Sequence, residues 1–240
     1  MLTETLDNLI RERRGNRSLK HYRYLCSRYN SCVPLKDKRI LDIGCGSGLR
    51  LGTNSVLAEP RLAVGIDNYK GEGSPLDEIG FVRKLQQALN LPHLSFMAAD
   101  AHRLPFKEGR FDVIFASQFL HHIHISQERL NRDKSPESLP VYKVLKRIHS
   151  LLSADGVLVV TEAPRYTALR LMQPLGVTRD IDYSTKQEPA DWIYMLKHCG
   201  FRDISVKYHT PYPLRYLSPL LGTGLTRYLV SNQYYIFARK

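Results

Sequence analysis

Apolar positions recur along this chain in two alternating rhythms. Leu2, Leu6, Leu9 and Ile10 repeat at the spacing of one helix face, and Tyr22, Leu25 and Tyr29 do so again beyond Gly15. Pro34 closes this helical opening. Short apolar runs then alternate with amphipathic stretches. The runs lie at 39–43, 62–67, 94–98, 111–116 and 156–161, and helical patterns fill 48–58, 78–90 and 139–152. A run that is apolar on both faces needs cover on both, so the alternation predicts a parallel, doubly wound α/β sheet with helices on both faces. Pro189 to His198 reads as a helix with Pro at its first position and Gly200 just beyond its end. Residues 201–209 and 233–238 alternate as strands. Between them, 211–230 is apolar and aromatic but broken by Pro and Gly, which predicts a long connection with a short helix, or a lid.

Composition narrows the class. At 240 residues, 43% hydrophobic and 24% charged, the chain suits one packed domain and not a disordered one. No apolar run approaches the roughly 20 residues that span a bilayer, and the first residues lack the apolar stretch of a secretory signal. Cys26, Cys32, Cys45 and Cys199 show neither Cys-x-x-Cys spacing nor a His at zinc-finger distance. They read as reduced thiols of a cytoplasmic protein, with no metal site. The net charge of +12 is concentrated in the two ends; residues 196–240 hold seven Lys/Arg against one acid. Basic ends suit an anionic partner or a solvated face. With no run of five consecutive basic residues, the solvated face is preferred and nucleic acid is the less favoured partner. The oligomeric state is not encoded in any of these features.

The first strand runs into Asp42-Ile43-Gly44-Cys45-Gly46-Ser47-Gly48. Glycines at a strand-to-helix turn let the backbone approach a ligand, and the helix beyond offers free N–H groups. A dinucleotide fingerprint requires its third glycine at position 49, which is Leu. Asp67 ends the second strand at roughly the 20-residue interval at which an acid meets a ribose. Asp100 ends the third. Each acid alone also fits a turn or a helix cap, and Asp112, after a Gly-Arg turn, reads as structural.

These residues resemble a known family in order and spacing. Asp-x-Gly-x-Gly-x-Gly after the first strand is similar to motif I of class I S-adenosylmethionine-dependent methyltransferases. Val64-Gly65-Ile66-Asp67, Ala99-Asp100-Ala101 with Leu104-Pro105-Phe106, Phe111-Asp112-Val113-Ile114, Leu120-His121-His122-Ile123, Leu151-Leu152-Ser153-Ala154-Asp155-Gly156 and Cys199-Gly200-Phe201 continue the resemblance across 36–205. The pattern is that of the methyltransferase type 11 group. It implies a Rossmann-like, mostly parallel seven-stranded sheet whose last strand is antiparallel. It also implies S-adenosyl-L-methionine as cofactor, held by Asp42, Gly44, Cys45, Gly46, Gly48, Asp67, Asn68, Asp100, Ala101 and Ser117. The chain then divides into a helical cap (1–35), a cofactor-binding core (36–205) and C-terminal strands with an acceptor lid (206–240), all in one domain, 1–240.

Methyl transfer is an in-line displacement from a sulfonium, so the protein mainly binds, orients and excludes water. A general base is needed only where the acceptor loses a proton. His121 and His122 are the candidates, with acceptor positioning and simple packing as their other readings. The acceptor is expected to meet 1–35, 163–188 and 211–231, whose aromatics and arginines include Tyr22, Arg165 and Tyr166. Stretches at 70–76 and 124–139, and Ser153-Ala154-Asp155-Gly156 for the usual Pro-Gly-Gly turn, depart from the family pattern. The expected function is methyl transfer to a small-molecule or lipid-like acceptor. An RNA methyltransferase, supported by the basic ends, is the first rival; Ala116-Ser117-Gln118-Phe119 in place of an Asn-Pro-Pro-Tyr tetrad argues against amino methylation of a nucleobase. A non-catalytic S-adenosylmethionine binder is the second.

Overall fold

A computed structural model describes residues 1–15, 17–70, 77–123, 135–171, 173–175, 182–209, 231 and 233–240. Two helices open the chain, α1 (Leu2–Arg14) and α2 (Leu19–Asn30). The apolar stripe of α1 is buried at Leu6, Leu9 and Ile10, and Gly15 ends the helix with φ 55°. In α2 the buried face is Leu19, Tyr22, Cys26 and Tyr29. Cys26 takes the place expected of Leu25, because steps of four and three residues keep one helix face.

The strands are β1 (Arg39–Ile43), β2 (Leu62–Asp67), β3 (Leu94–Ala98), β4 (Phe111–Ser117), β5 (Leu152–Glu162), β6 (Arg202–His209) and β7 (Gln233–Arg239). Helices α3 (Leu49–Ala58), α4 (Asp77–Leu89), α5 (Leu120–Ile123), α6 (Pro140–Leu151), α7 (Ala168–Leu171) and α8 (Pro189–His198) connect them. The seven strands form one sheet in the order β3-β2-β1-β4-β5-β7-β6. β1 pairs parallel with β2, and β2 with β3, while β6 and β7 are antiparallel. Strand order reverses at β1, the position where open α/β sheets bind ligands beyond their carboxyl ends.

β5 begins earlier than the apolar run suggests. The expected reversal at 153–156 lies inside it: a Cβ on Gly156 would stand 2.9 Å from the Leu152 Cβ. That approach is impossible in a straight strand rising about 3.3 Å per residue.

The chain divides into two compact units, 1–115 with 150–157, and 116–149 with 158–240. In the first, α1 and α2 pack on α3, and α1 also packs on α4. Asp112 at the start of β4 accepts from the Arg39 backbone N–H at 2.9 Å, from Nε at 3.0 Å and from Nη2 at 2.7 Å. The guanidinium beside it holds the Asp112 carboxyl down at about 2. Asp112 is thus a structural brace between the starts of β1 and β4. In the second unit, α8 opens with the expected Pro189, and Glu188 and Asp191 form a capping box over its first turn. Trp192, Met195 and Leu196 bury its inner face.

Among the described residues, no helix is long and apolar enough to cross a membrane. None of their His, Cys, Asp and Glu side chains form a cluster of three or more able to hold a metal ion. All four cysteines are free.

Candidate active site

In the first unit, the turn after β1 is held open by three glycines with positive φ: Gly44 at 71°, Gly46 at 51° and Gly48 at 70°. The amides of Gly44 and Cys45 donate to the Ile66 carbonyl at 2.8 and 3.0 Å, tying the loop to the end of β2. Gly48 has a second reason to lack a side chain. A Cβ there would lie 2.6 Å from the Phe96 ring, which also fills the space over Gly65.

Asp67 is 7% exposed at the end of β2. Its Oδ2 accepts the Gly46 N–H at 2.9 Å and its Oδ1 the Tyr69 N–H at 2.9 Å. A carboxylate oxygen accepts from more than one donor, so these backbone bonds are compatible with vicinal hydroxyls as well. Asp42 is 3% exposed, and its Oδ1 is buried with no hydrogen-bond partner. Burial raises its carboxyl to about 7; the Arg50 charge opposes the rise and Asp67 adds to it. An unpartnered buried carboxylate oxygen beside a glycine loop fits an ammonium group, such as that of an amino-acid cofactor. Cys45 is half-buried, and burial pushes its thiol well up, so it is no ready nucleophile.

Asn68 is exposed and its Oδ1 accepts the Lys70 N–H at 3.1 Å. Asp100 is exposed and caps the single 3-10 turn Ala101–Arg103 through the His102 N–H at 2.9 Å; Ala101 is buried. Tyr22 lies in the buried face of α2.

In the second unit, Ser117 ends β4 with its Oγ buried and unpartnered, and the same holds for Gln118 Nε2. Gln118 sits at φ 52°, a strained value for a non-glycine residue, and its N–H donates to the Thr161 carbonyl at 2.7 Å. The two histidines differ. His121 is 6% exposed, whereas His122 is exposed and stacks its ring 4.1 Å away. His121 Nδ1 lies 2.7 Å from Oε2 of Glu162, the last residue of β5. Glu162 carries the same signal that singled out Asp67 and Asp100, an acid at a strand's carboxyl end, and the sequence reading missed it. Lys186 is also buried; burial lowers its pKa against the pull of the Glu162 and Asp182 charges. Arg165 donates to the carbonyls of Ser184 at 2.9 Å and Lys186 at 3.4 Å. Tyr166 is 47% exposed, with its N–H on Glu188 at 3.0 Å. The expected lid at 211–230 and most of the 70–76 and 124–139 stretches lie outside the described residues.

Residues 34–190 match the model of a family described as a methyltransferase domain. The chain belongs to that methyltransferase family. It is 29% identical over 172 residues to a tRNA U34 carboxymethyltransferase of Tolumonas auensis, covering 71% of this chain and 46% of the relative. It is 32% identical over 89 residues to phthiotriol/phenolphthiotriol dimycocerosates methyltransferase 1 of Mycobacterium ulcerans, covering 37% of this chain and 30% of the relative. The chain therefore matches less than half the length of either relative. An S-adenosylmethionine-dependent methyltransferase of Thermotoga maritima superposes over the whole of both chains at a TM-score of 0.61 and 15% identity. This chain thus carries a methyltransferase domain, and its seven-stranded sheet is the Rossmann-like fold that the motifs imply.

Proposed function

We propose that this methyltransferase acts on a small-molecule or lipid-like acceptor. The observation that carries this reading is the exposure of large apolar side chains just after β5. Tyr166 is 47% and Leu171 82% exposed on one short stretch, a surface suited to an apolar acceptor. S-adenosylmethionine supplies a methyl group on a positively charged sulfur. Asp42 receives the cofactor's ammonium on its unpartnered oxygen, and the loop of Gly44, Cys45, Gly46 and Gly48 follows its methionine part. Asp67 and Asn68 receive the ribose hydroxyls, and Asp100 and Ala101 border the adenine. In the second unit, Ser117 offers its buried hydroxyl from the end of β4, and Arg165 and Tyr166 belong to the acceptor side. The four free thiols suit a reducing, cytoplasmic setting.

A second reading, an enzyme acting on RNA, is favoured by the tRNA-modifying relative and the basic ends. Incubation with methyl-labelled cofactor and a total cell extract, followed by separation into lipid, low-mass, RNA and protein fractions, decides between them. Label in the lipid or low-mass fraction is expected. Label confined to RNA establishes the second reading instead.

A further inference from the structure

The carboxylate of Glu162 is shared between two donors of one short helix. Its Oε1 accepts the Leu120 N–H at 3.0 Å, and its Oε2 meets His121 Nδ1 at 2.7 Å. The first bond aims the second oxygen at the ring. Glu162 is 1% exposed, so neither contact is a loose surface pairing. A carboxylate oxygen accepts, so Nδ1 supplies the hydrogen of this contact, which leaves the lone pair of an unprotonated ring on Nε2. Nε2 has no partner among the described residues, and it is not among their sealed, unpartnered polar atoms. That nitrogen points out of the ring away from the carboxylate contact, as a base acting on a ligand requires.

The turn before His121 points the same way. Ser117 Oγ and Gln118 Nε2 are buried without partners, although buried polar groups are nearly always satisfied. Gln118 is also strained. Orphaned polar atoms beside a strained turn at a strand's carboxyl end mark a place completed by something other than the protein.

We propose that His121 is a general base that takes the proton of a hydroxyl acceptor, an alcohol or a phenol, with Glu162 as its positioning residue. This rests on the methyl-transfer reading above. A carboxylate acceptor is already ionised at neutral pH and needs no base. A hydroxyl keeps its proton, a phenol up to about pH 10, until its oxygen attacks. The oxygen forms its bond to the methyl carbon as its proton passes to His121 Nε2. The electrons of the broken S–C bond remain on sulfur, which becomes a neutral thioether. The imidazolium faces Glu162 until its proton leaves to solvent. His122 is exposed, and the step does not use it.

The test uses the full chain. Nitrogen-15 NMR of the wild-type histidine rings, with and without S-adenosylhomocysteine, is expected to show His121 with hydrogen on Nδ1 and none on Nε2 near neutral pH. Glu162→Gln is expected to lose that fixed tautomer. With methyl-labelled cofactor and a lipid and metabolite extract, His121→Gln and Glu162→Gln are expected to slow transfer by about a hundredfold. Their affinity for S-adenosylhomocysteine should stay within about twofold. Added imidazole should restore part of the rate of His121→Ala. The product should be an ether, stable to mild alkali and not retained on a cation exchanger. Hydrogen on Nε2, full activity without His121, alkali-labile methyl ester or retained N-methyl product each overturn the proposal. A wild-type enzyme that transfers label to no fraction overturns the methyl-transfer reading as well.

Discussion

Asp67 accepts the backbone N–H of Gly46 at 2.9 Å, so the acid that ends β2 holds the glycine loop that follows β1. One carboxylate therefore shapes the loop and, in the proposed cofactor site, also accepts from the ribose hydroxyls. Asp67→Ala removes both functions and should weaken S-adenosylhomocysteine binding by about 1.5–3 kcal/mol, the scale of hydrogen bonds involving a charged group. Asp67→Asn, which keeps one acceptor oxygen, should lose less. Calorimetry measures both, and unchanged affinity in Asp67→Ala would remove the acid from the cofactor site.

Asp42 adds a pH dependence. Burial lifts its carboxyl to about 7, and only the ionised form accepts an ammonium strongly. Affinity for S-adenosylhomocysteine should rise by about threefold to tenfold between pH 6 and pH 8 in the wild type. Asp42→Asn, which cannot ionise, should bind more weakly at pH 8 and show a flat profile. The same linkage acts on folding. A carboxyl raised in the folded state contributes stability that is full below its ordinary pKa and is lost as pH rises through about 7. Asp42→Asn should therefore gain thermal stability relative to the wild type at pH 8, and an equal melting temperature there would contradict the burial argument.

Arg39 and Asp112 make the opposite case. Three hydrogen bonds from Arg39 and one from Ser153 Oγ at 3.1 Å favour the ionised carboxylate, whose pKa falls from 3.8 to about 2. Its stabilisation is present above the ordinary value and lost as pH falls through about 2, and with solvent screening of this partly exposed pair it amounts to about 1 kcal/mol. Asp112→Asn should cost about that much in urea unfolding at pH 7. The gap to the wild type should narrow between pH 4 and pH 2, and a gap that stays constant over that range would refute the assignment.

Local pattern made much of this protein legible. Each of the first five apolar runs became a strand, because a run that needs cover on both faces has few other solutions in a chain of alternating elements. The glycine loop was readable because positive φ after a strand demands glycine, and Asp67 because one βαβ crossover sets its distance along the chain. The tertiary structure decided which side chains meet. Arg39 finds Asp112 and His121 finds Glu162 only because the strand order places β1, β4 and β5 side by side, and no periodicity encodes that order. It also separated His121 from His122. Although the two rings lie 4.1 Å apart, His121 is buried against the Glu162 carboxylate and His122 is exposed, a difference set by where β5 ends and not by the local sequence.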